Sequence, residues 1–101
     1  MTVNSTEEDG KVIIEIIGEV DLYNAPRVRD AITHYMDQNK LDILIDLDKV
    51  DYIDSSGIGV LISSVTDMKE LGGQLTLKCN SPNVKRVFEL TRLVDFFDIV
   101  S

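Results

Sequence analysis

A small α/β domain built on a largely parallel sheet is the fold this sequence predicts. Three observations carry that prediction. Short β-branched runs alternate with longer segments whose apolar residues recur at helical spacing. The first two strand-like segments flank Asp9-Gly10, a dipeptide suited to a hairpin turn because both central positions can take positive φ. The chain has 101 residues, 44% of them hydrophobic, and a chain this long buries roughly 60–70% of its unfolded surface, enough for one core and one domain over residues 1–101.

Residues 2 to 8 read as a weak extended segment, and Lys11 to Ile17 (KVIIEII) as a strand paired back on it. Gly18 to Pro26 reads as a connection in which Asn24 caps a helix and Pro26 fits the first turn. Val28, Ile32, Tyr35 and Met36, with Ala31 beside them, mark that helix, which stops near Asn39. Leu41 to Leu47 (LDILIDL) suits a central strand covered on both faces. Asp48 begins a turn that runs to Asp54 and leads into a second helix, with Ile58, Leu61, Ile62, Val65 and Met68 on one face. Gly72-Gly73 ends that helix. Gln74 to Cys79 alternates as a strand, and Ser81-Pro82 caps a third helix carrying Val84, Val87, Phe88 and Thr91. Leu93 to Val100 is a short apolar segment of unassigned type. The order β-β-α-β-α-β-α predicts right-handed crossovers between parallel strands.

Charge narrows the function classes. Ten Lys+Arg stand against 18 Asp+Glu, a net charge of −8. Such a surface repels phosphate backbones and anionic lipid, so neither nucleic acid nor membrane is the expected partner; a protein with a basic face is. Cys79 is the only cysteine, which excludes an internal disulfide and a Cys-based zinc site. The polar, acidic start of the chain is unlike a signal peptide, and a cytoplasmic location is the expectation.

The unusual stretch is Asp46 to Gly59 (DLDKVDYIDSSGIG): strand, acidic turn, two serines and a helix start. Either Ser55 or Ser56 can cap the helix; alternatively one hydroxyl is exposed and modified. A helix N-terminus accepts a dianion, since its free N–H groups and its dipole favour negative charge. Phosphorylation at Ser55 would therefore leave the fold in place and add about 1.5–2 negative charges beside Asp51 and Asp54, repelling a docked partner. Gly57-Ile58-Gly59 lacks the third glycine of a dinucleotide loop, Ile62 standing there, and no phosphate-binding loop motif occurs. A hydrolase elbow fails because Ile53 or Asp54 replaces its first glycine, and His34, the single histidine, sits in the first helix. The four aspartates read as a solvated acidic loop rather than a cation site. A phospho-aspartate receiver domain would need an acidic pair after an early strand, where Gly18-Glu19-Val20-Asp21 stands, and a functional lysine after a late one, where Lys78 follows the alternation of a surface residue.

The block Asp51 to Leu61 resembles the signature of STAS domains, specifically of bacterial anti-sigma factor antagonists. Gly18 to Pro26 resembles a second block of that family, and Gly72-Gly73 with Ser81 to Leu90 a third, in the family's order and spacing. The resemblance implies a single STAS domain: a small mixed sheet, mostly parallel, opened by a β-hairpin and packed with about four helices. It implies a non-enzymatic partner switch; no cofactor is expected, and a monomer when free is the default expectation. The unphosphorylated form would bind an anti-sigma factor serine kinase of the histidine-kinase-like ATPase type and free a sigma factor. The kinase would phosphorylate Ser55, and a PPM-type serine phosphatase would reset it. The partner surface implied comprises Asp21, Tyr23, Asn24, Asp54, Ser56, Gly57, Ile58 and Gly59. The alternative is a STAS regulatory module in another partner-switching or nucleotide-sensing pathway.

Overall fold

The structure, a computed structural model, describes residues 1–101. Its elements are β1 (Thr2–Glu8), β2 (Lys11–Val20), α1 (Ala25–Asp37), β3 (Asp42–Ile53), α2 (Ser55–Glu70), β4 (Gln74–Lys78), α3 (Pro82–Leu90) and β5 (Asp98–Val100). The sheet order is β1-β2-β3-β4-β5. β1 pairs antiparallel with β2, and the other pairs are parallel. Asp9 and Gly10 close the hairpin with φ of 51° and 82°, the left-handed conformations that such a turn demands.

Each parallel neighbour is reached through one helix, and the order advances one strand at a time. Right-handed crossovers then place all three helices on one face. Burial follows. Val12, Ile14 and Ile16 of β2, Ile43, Ile45 and Leu47 of β3, and Leu75 and Leu77 of β4 lie in register on that face and are buried against Val28, Ile32, Leu61, Val65, Met68, Val84 and Phe88. On the other face Ile13, Ile17 and Leu44 are half-buried and stand outside the core. The expectation that β3 is covered on both faces is therefore corrected: only every second residue of LDILIDL enters the core.

Two boundaries also differ from expectation. β3 does not turn at Asp48 but runs to Ile53, because β2 continues to Val20 and offers it partners: Ile17 opposite Lys49, Gly18 opposite Val50, Val20 opposite Ile53. Register shifts between Glu15 and Ile17 and between Gly18 and Glu19 mark two bulges that each insert one extra residue in β3. They absorb the charged stretch while Val50 and Ile53 stay buried. The end of the chain holds no fourth helix. Thr91 to Phe97 turn back, Phe97 packs on Phe88 with ring centroids 5.2 Å apart, and the β-branched pair Ile99-Val100 extends the sheet beside β4.

The β4–α3 connection is stitched to the extension of β3. The Ser81 hydroxyl donates to the Val50 carbonyl at 2.7 Å instead of capping α3. Asn83 Nδ2 donates to the Asp51 carbonyl at 3.1 Å. Asp48 accepts from the Asn80 backbone N–H at 2.7 Å and pairs with Lys78 at 3.1 Å. Burial pushes the Asp48 carboxyl up, but the Lys78 ammonium and the Asn80 donors outweigh it and hold the group below its ordinary value of 3.8. A depressed carboxylate stabilises the fold above its unfolded pKa and ceases to do so as pH falls through its folded value. Asp48→Asn is accordingly expected to melt a few degrees below the wild type near pH 7, with the gap closing as pH falls through the depressed folded value of the carboxyl in a thermal-denaturation series. A gap that persists in acid would contradict this role.

Candidate functional site

Asp54 organises the site. It is the N-cap of α2, with extended backbone at φ −96° and ψ −176°. Its Oδ1 accepts from the Ser56 N–H at 2.8 Å and the Gly57 N–H at 3.2 Å, satisfying two of the donors a helix start leaves free. The cap is thus the aspartate, and neither serine. The other oxygen, Oδ2, accepts from the Leu22 N–H at 3.1 Å, and the Asp54 N–H donates to the Val20 carbonyl at 3.1 Å. One side chain therefore joins the β2–α1 loop to the start of α2, 32 residues apart in sequence.

That loop is closed by its own polar side chains. Asp21 Oδ1 accepts from the Tyr23 and Asn24 N–H groups at 2.9 and 3.0 Å. Asn24 Oδ1 accepts from the Asp21 N–H at 2.8 Å, and its Nδ2 donates to the Glu19 carbonyl at 2.9 Å. Asn24 occupies the N-cap position of α1 but makes no side-chain cap bond, being used within the loop instead. The closed loop holds Leu22 and Tyr23 outward, 66% and 90% exposed.

With the cap supplied by Asp54, Ser55 becomes the first residue of α2. It is exposed, and its hydroxyl makes no hydrogen bond. Gly59, one turn on, shares its face and is also exposed, while Ser56 is half-buried. Gly57 and Ile58 lie beneath this surface: both are buried, and they shape the site from below. The structure thus brings Asp21, Tyr23, Asn24, Asp54, Ser55, Ser56 and Gly59 to one end of the sheet and turns Gly57 and Ile58 inward. Sequence reasoning missed Leu22, exposed beside them, and Arg29, which lines a cleft with Ser56. The signal for Leu22 was the large pair Leu22-Tyr23 set between the turn-formers Asp21 and Asn24.

The two glycines differ in physical role. A Cβ on Gly57 would stand 2.6 Å from Ile53 Cγ1 and 2.7 Å from Val20 Cγ1, so the helix start could not sit this close to β2 and β3. A Cβ on Gly59 meets nothing within 4 Å. Overpacking costs about 1–3 kcal/mol against a helix-propensity gain of about 1 kcal/mol. Gly57→Ala is expected to destabilise by about 1–2 kcal/mol and Gly59→Ala to stabilise by up to ~1 kcal/mol in urea unfolding. Equal effects would contradict the close approach.

The remaining polar groups do not form a reaction centre around Ser55. His34 is exposed on α1 and lies 2.9 Å from Gln38. Asp46 accepts from the Asp48 N–H, and Asp48 is engaged by Lys78 and Asn80, so each of these carboxylates has a structural partner. No group of three or more His, Cys, Asp or Glu is arranged to hold a metal ion, and no helix is long and apolar enough to cross a membrane. What the arrangement offers is a free hydroxyl at a helix N-terminus, next to Asp54 and beside the loop that presents Leu22 and Tyr23.

A one-sided sheet of this order, with a non-capping, exposed serine at the first position of its second helix, defines a small α/β domain that presents a hydroxyl at one end of its sheet. Comparison with known proteins makes the assignment specific. Residues 2–101 match the STAS domain, and the chain belongs to that family. It is 33% identical over 99 residues to the anti-sigma-B factor antagonist of Bacillus subtilis, covering 98% of this chain and 90% of that one. It is 35% identical over 86 residues to the protein of the same name from Listeria monocytogenes, covering 85% and 75% respectively. Among solved structures, an anti-sigma factor antagonist from Mycobacterium paratuberculosis shares the fold at a TM-score of 0.87, with 24% identity over 97% of this chain and 83% of that one. The anti-sigma factor antagonist SpoIIAA in its unphosphorylated form shares it at 0.77, with 20% identity over 99% of this chain and 88% of that one. SpoIIAA in the phosphorylated form matches equally, at 0.77.

Proposed function

We propose that this chain is an anti-sigma factor antagonist whose unphosphorylated form binds and sequesters an anti-sigma factor serine kinase, and that phosphorylation of Ser55 ends the complex. The observation that carries the reading is the exposed Ser55 hydroxyl, released from capping by Asp54 at the first position of α2. Membership of the STAS family and similarity to proteins named as anti-sigma-B factor antagonists support it. The chain acts as a substrate and a ligand, and the catalytic groups belong to its partners. In the switching step the Ser55 oxygen forms a bond to the γ-phosphorus of ATP held by the kinase. The β–γ bridging bond breaks, ADP leaves, and the hydroxyl proton passes to a base on the kinase. A PPM-type serine phosphatase returns the ester to serine by hydrolysis.

The switch works through charge at an interface. The N-terminal dipole of α2 accepts the phosphate, so the core has no reason to move. Asp21 and Asp54 already make the surface negative, and a further ~1.5–2 charges repel a partner packed closely there. The test is incubation with the cognate anti-sigma kinase and ATP. Phosphate on Ser55 by mass spectrometry, acid-stable as a serine ester is, is the expected result. Phosphate on an aspartate, or none on Ser55, overturns the reading.

A further inference from the structure

Beside the candidate phosphorylation site, α1 and the start of α2 enclose a cleft of about 260 Å³. Ala25, Pro26 and Arg29 form one wall at helical spacing, Ser56 and Val60 form the other, and Leu22 stands at the rim. The floor is apolar, since Ala25 and Val60 lie almost wholly beneath the surface. The cleft is smaller than the ~300–1,000 Å³ typical of small-molecule pockets, a size suited to an inserted side chain rather than a free metabolite. It is continuous through Ser56 and Leu22 with the surface around Ser55.

Its charge is the reverse of the rest of that surface. Asp21 and Asp54 lie on the loop and cap side. Arg29 is the one charged residue lining the cleft, and it makes no ion pair within the chain. The neighbouring Arg27 is engaged, its guanidinium donating to the Met1 carbonyl at 3.2 Å. The carboxylates of the loop and cap and the arginine of the cleft thus flank the exposed Leu22. A partner that carries cations for the acids and a carboxylate for the arginine can dock in only one orientation, and such complementarity fixes register and excludes wrong partners.

We infer that this cleft is the orienting subsite of the partner interface: it takes an apolar side chain of the anti-sigma kinase, next to a carboxylate that pairs with Arg29. The inference rests on the function proposed above and adds the chemistry of the partner segment and the residue that selects it. Because the guanidinium is exposed, replacing it leaves the core untouched, and melting temperature serves as the control.

The test is calorimetric titration of the unphosphorylated chain with the kinase that phosphorylates Ser55, comparing wild type, Arg29→Glu, Arg29→Lys and Ser55→Asp. Arg29→Glu is expected to weaken binding by about 20-fold or more, Arg29→Lys by no more than about threefold, and the difference between them should shrink as salt is raised. If Arg29→Glu binds like wild type while Ser55→Asp does not, the cleft assignment is wrong and the proposed function stands. If wild type does not bind the kinase, or Ser55→Asp binds as well as wild type, the functional reading fails and takes this one with it. A concentration-dependent mass in sedimentation that Arg29→Glu abolishes would place a second copy of the chain in the cleft, and would also overturn the assignment.

Discussion

Ser55→Asp is expected to weaken binding to the anti-sigma kinase by about tenfold, complete phosphorylation of Ser55 by about a hundredfold or more, and Ser55→Ala not at all. The ranking follows from charge. Aspartate adds one negative charge on a short side chain, whereas phosphoserine adds about 1.5–2 charges and three acceptor oxygens further from the helix. Each tenfold step corresponds to 1.4 kcal/mol, and juxtaposed like charges at an interface cost several kcal/mol, so the predicted losses lie within what repulsion alone supplies. Alanine removes a hydroxyl that makes no hydrogen bond within the chain. Isothermal titration of the three forms checks the order. Equal affinity for the alanine and aspartate variants would remove charge as the cause.

The second large effect is expected at Asp54, which joins two tasks that separate by substitution. Asp54→Ala removes the α2 cap and the bond to the Leu22 N–H together. A lost cap costs about 0.5–2 kcal/mol, and for a domain of this size that lowers the melting temperature by roughly 4–8 °C per kcal/mol. Asp54→Asn divides the roles. Its amide oxygen can still accept from Ser56 and Gly57, but the NH2 group would face the Leu22 N–H, a donor against a donor. Asp54→Asn should therefore melt near the wild type, while the amide of Leu22 exchanges faster with solvent and the loop that presents Leu22 and Tyr23 loosens. Hydrogen exchange measured residue by residue distinguishes the cases. A protected Leu22 amide in the asparagine variant would show that the loop is held by other contacts.

The sequence exposed the hairpin, the alternation of helix and strand and the helix-facing apolar residues, because each has a local cause. Asp9-Gly10 sets its own turn, Pro26 and Pro82 mark helix starts, and Val28, Ile32, Val84 and Phe88 recur at helical spacing. The failures share a different cause: non-local pairing decided them. Asp48, Lys49 and Asp51 have the composition of a loop, yet β2 extends to Val20 and holds them in a bulged strand. Leu44 lies in an apolar run, but the strand order leaves its face without a helix. Ser55, Ser56 and Asp54 are all competent caps by type, and the choice fell to Asp54, whose second oxygen also holds Leu22 across the fold. Asn24 and Ser81 stand at cap positions and spend their side chains elsewhere, on the loop and on Val50. The final strand is too short, at three residues, to declare itself without β4 beside it.

The site was legible in type before its geometry was. Residue identity alone placed a hydroxyl at a helix start among acids. That the hydroxyl is free, that Gly57 and Ile58 face inward, and that Leu22 and Arg29 belong to the same surface depend on contacts between segments about 30 residues apart.

One ester on Ser55 should eject a bound protein while the core keeps its arrangement. The decisive experiment prepares the chain with phosphoserine at position 55 and records backbone amide NMR shifts alongside kinase affinity. Affinity should be lost, with shift changes confined to residues 21–24 and 54–60. Retained affinity, or changes spread through β2, β3 and β4, would contradict it.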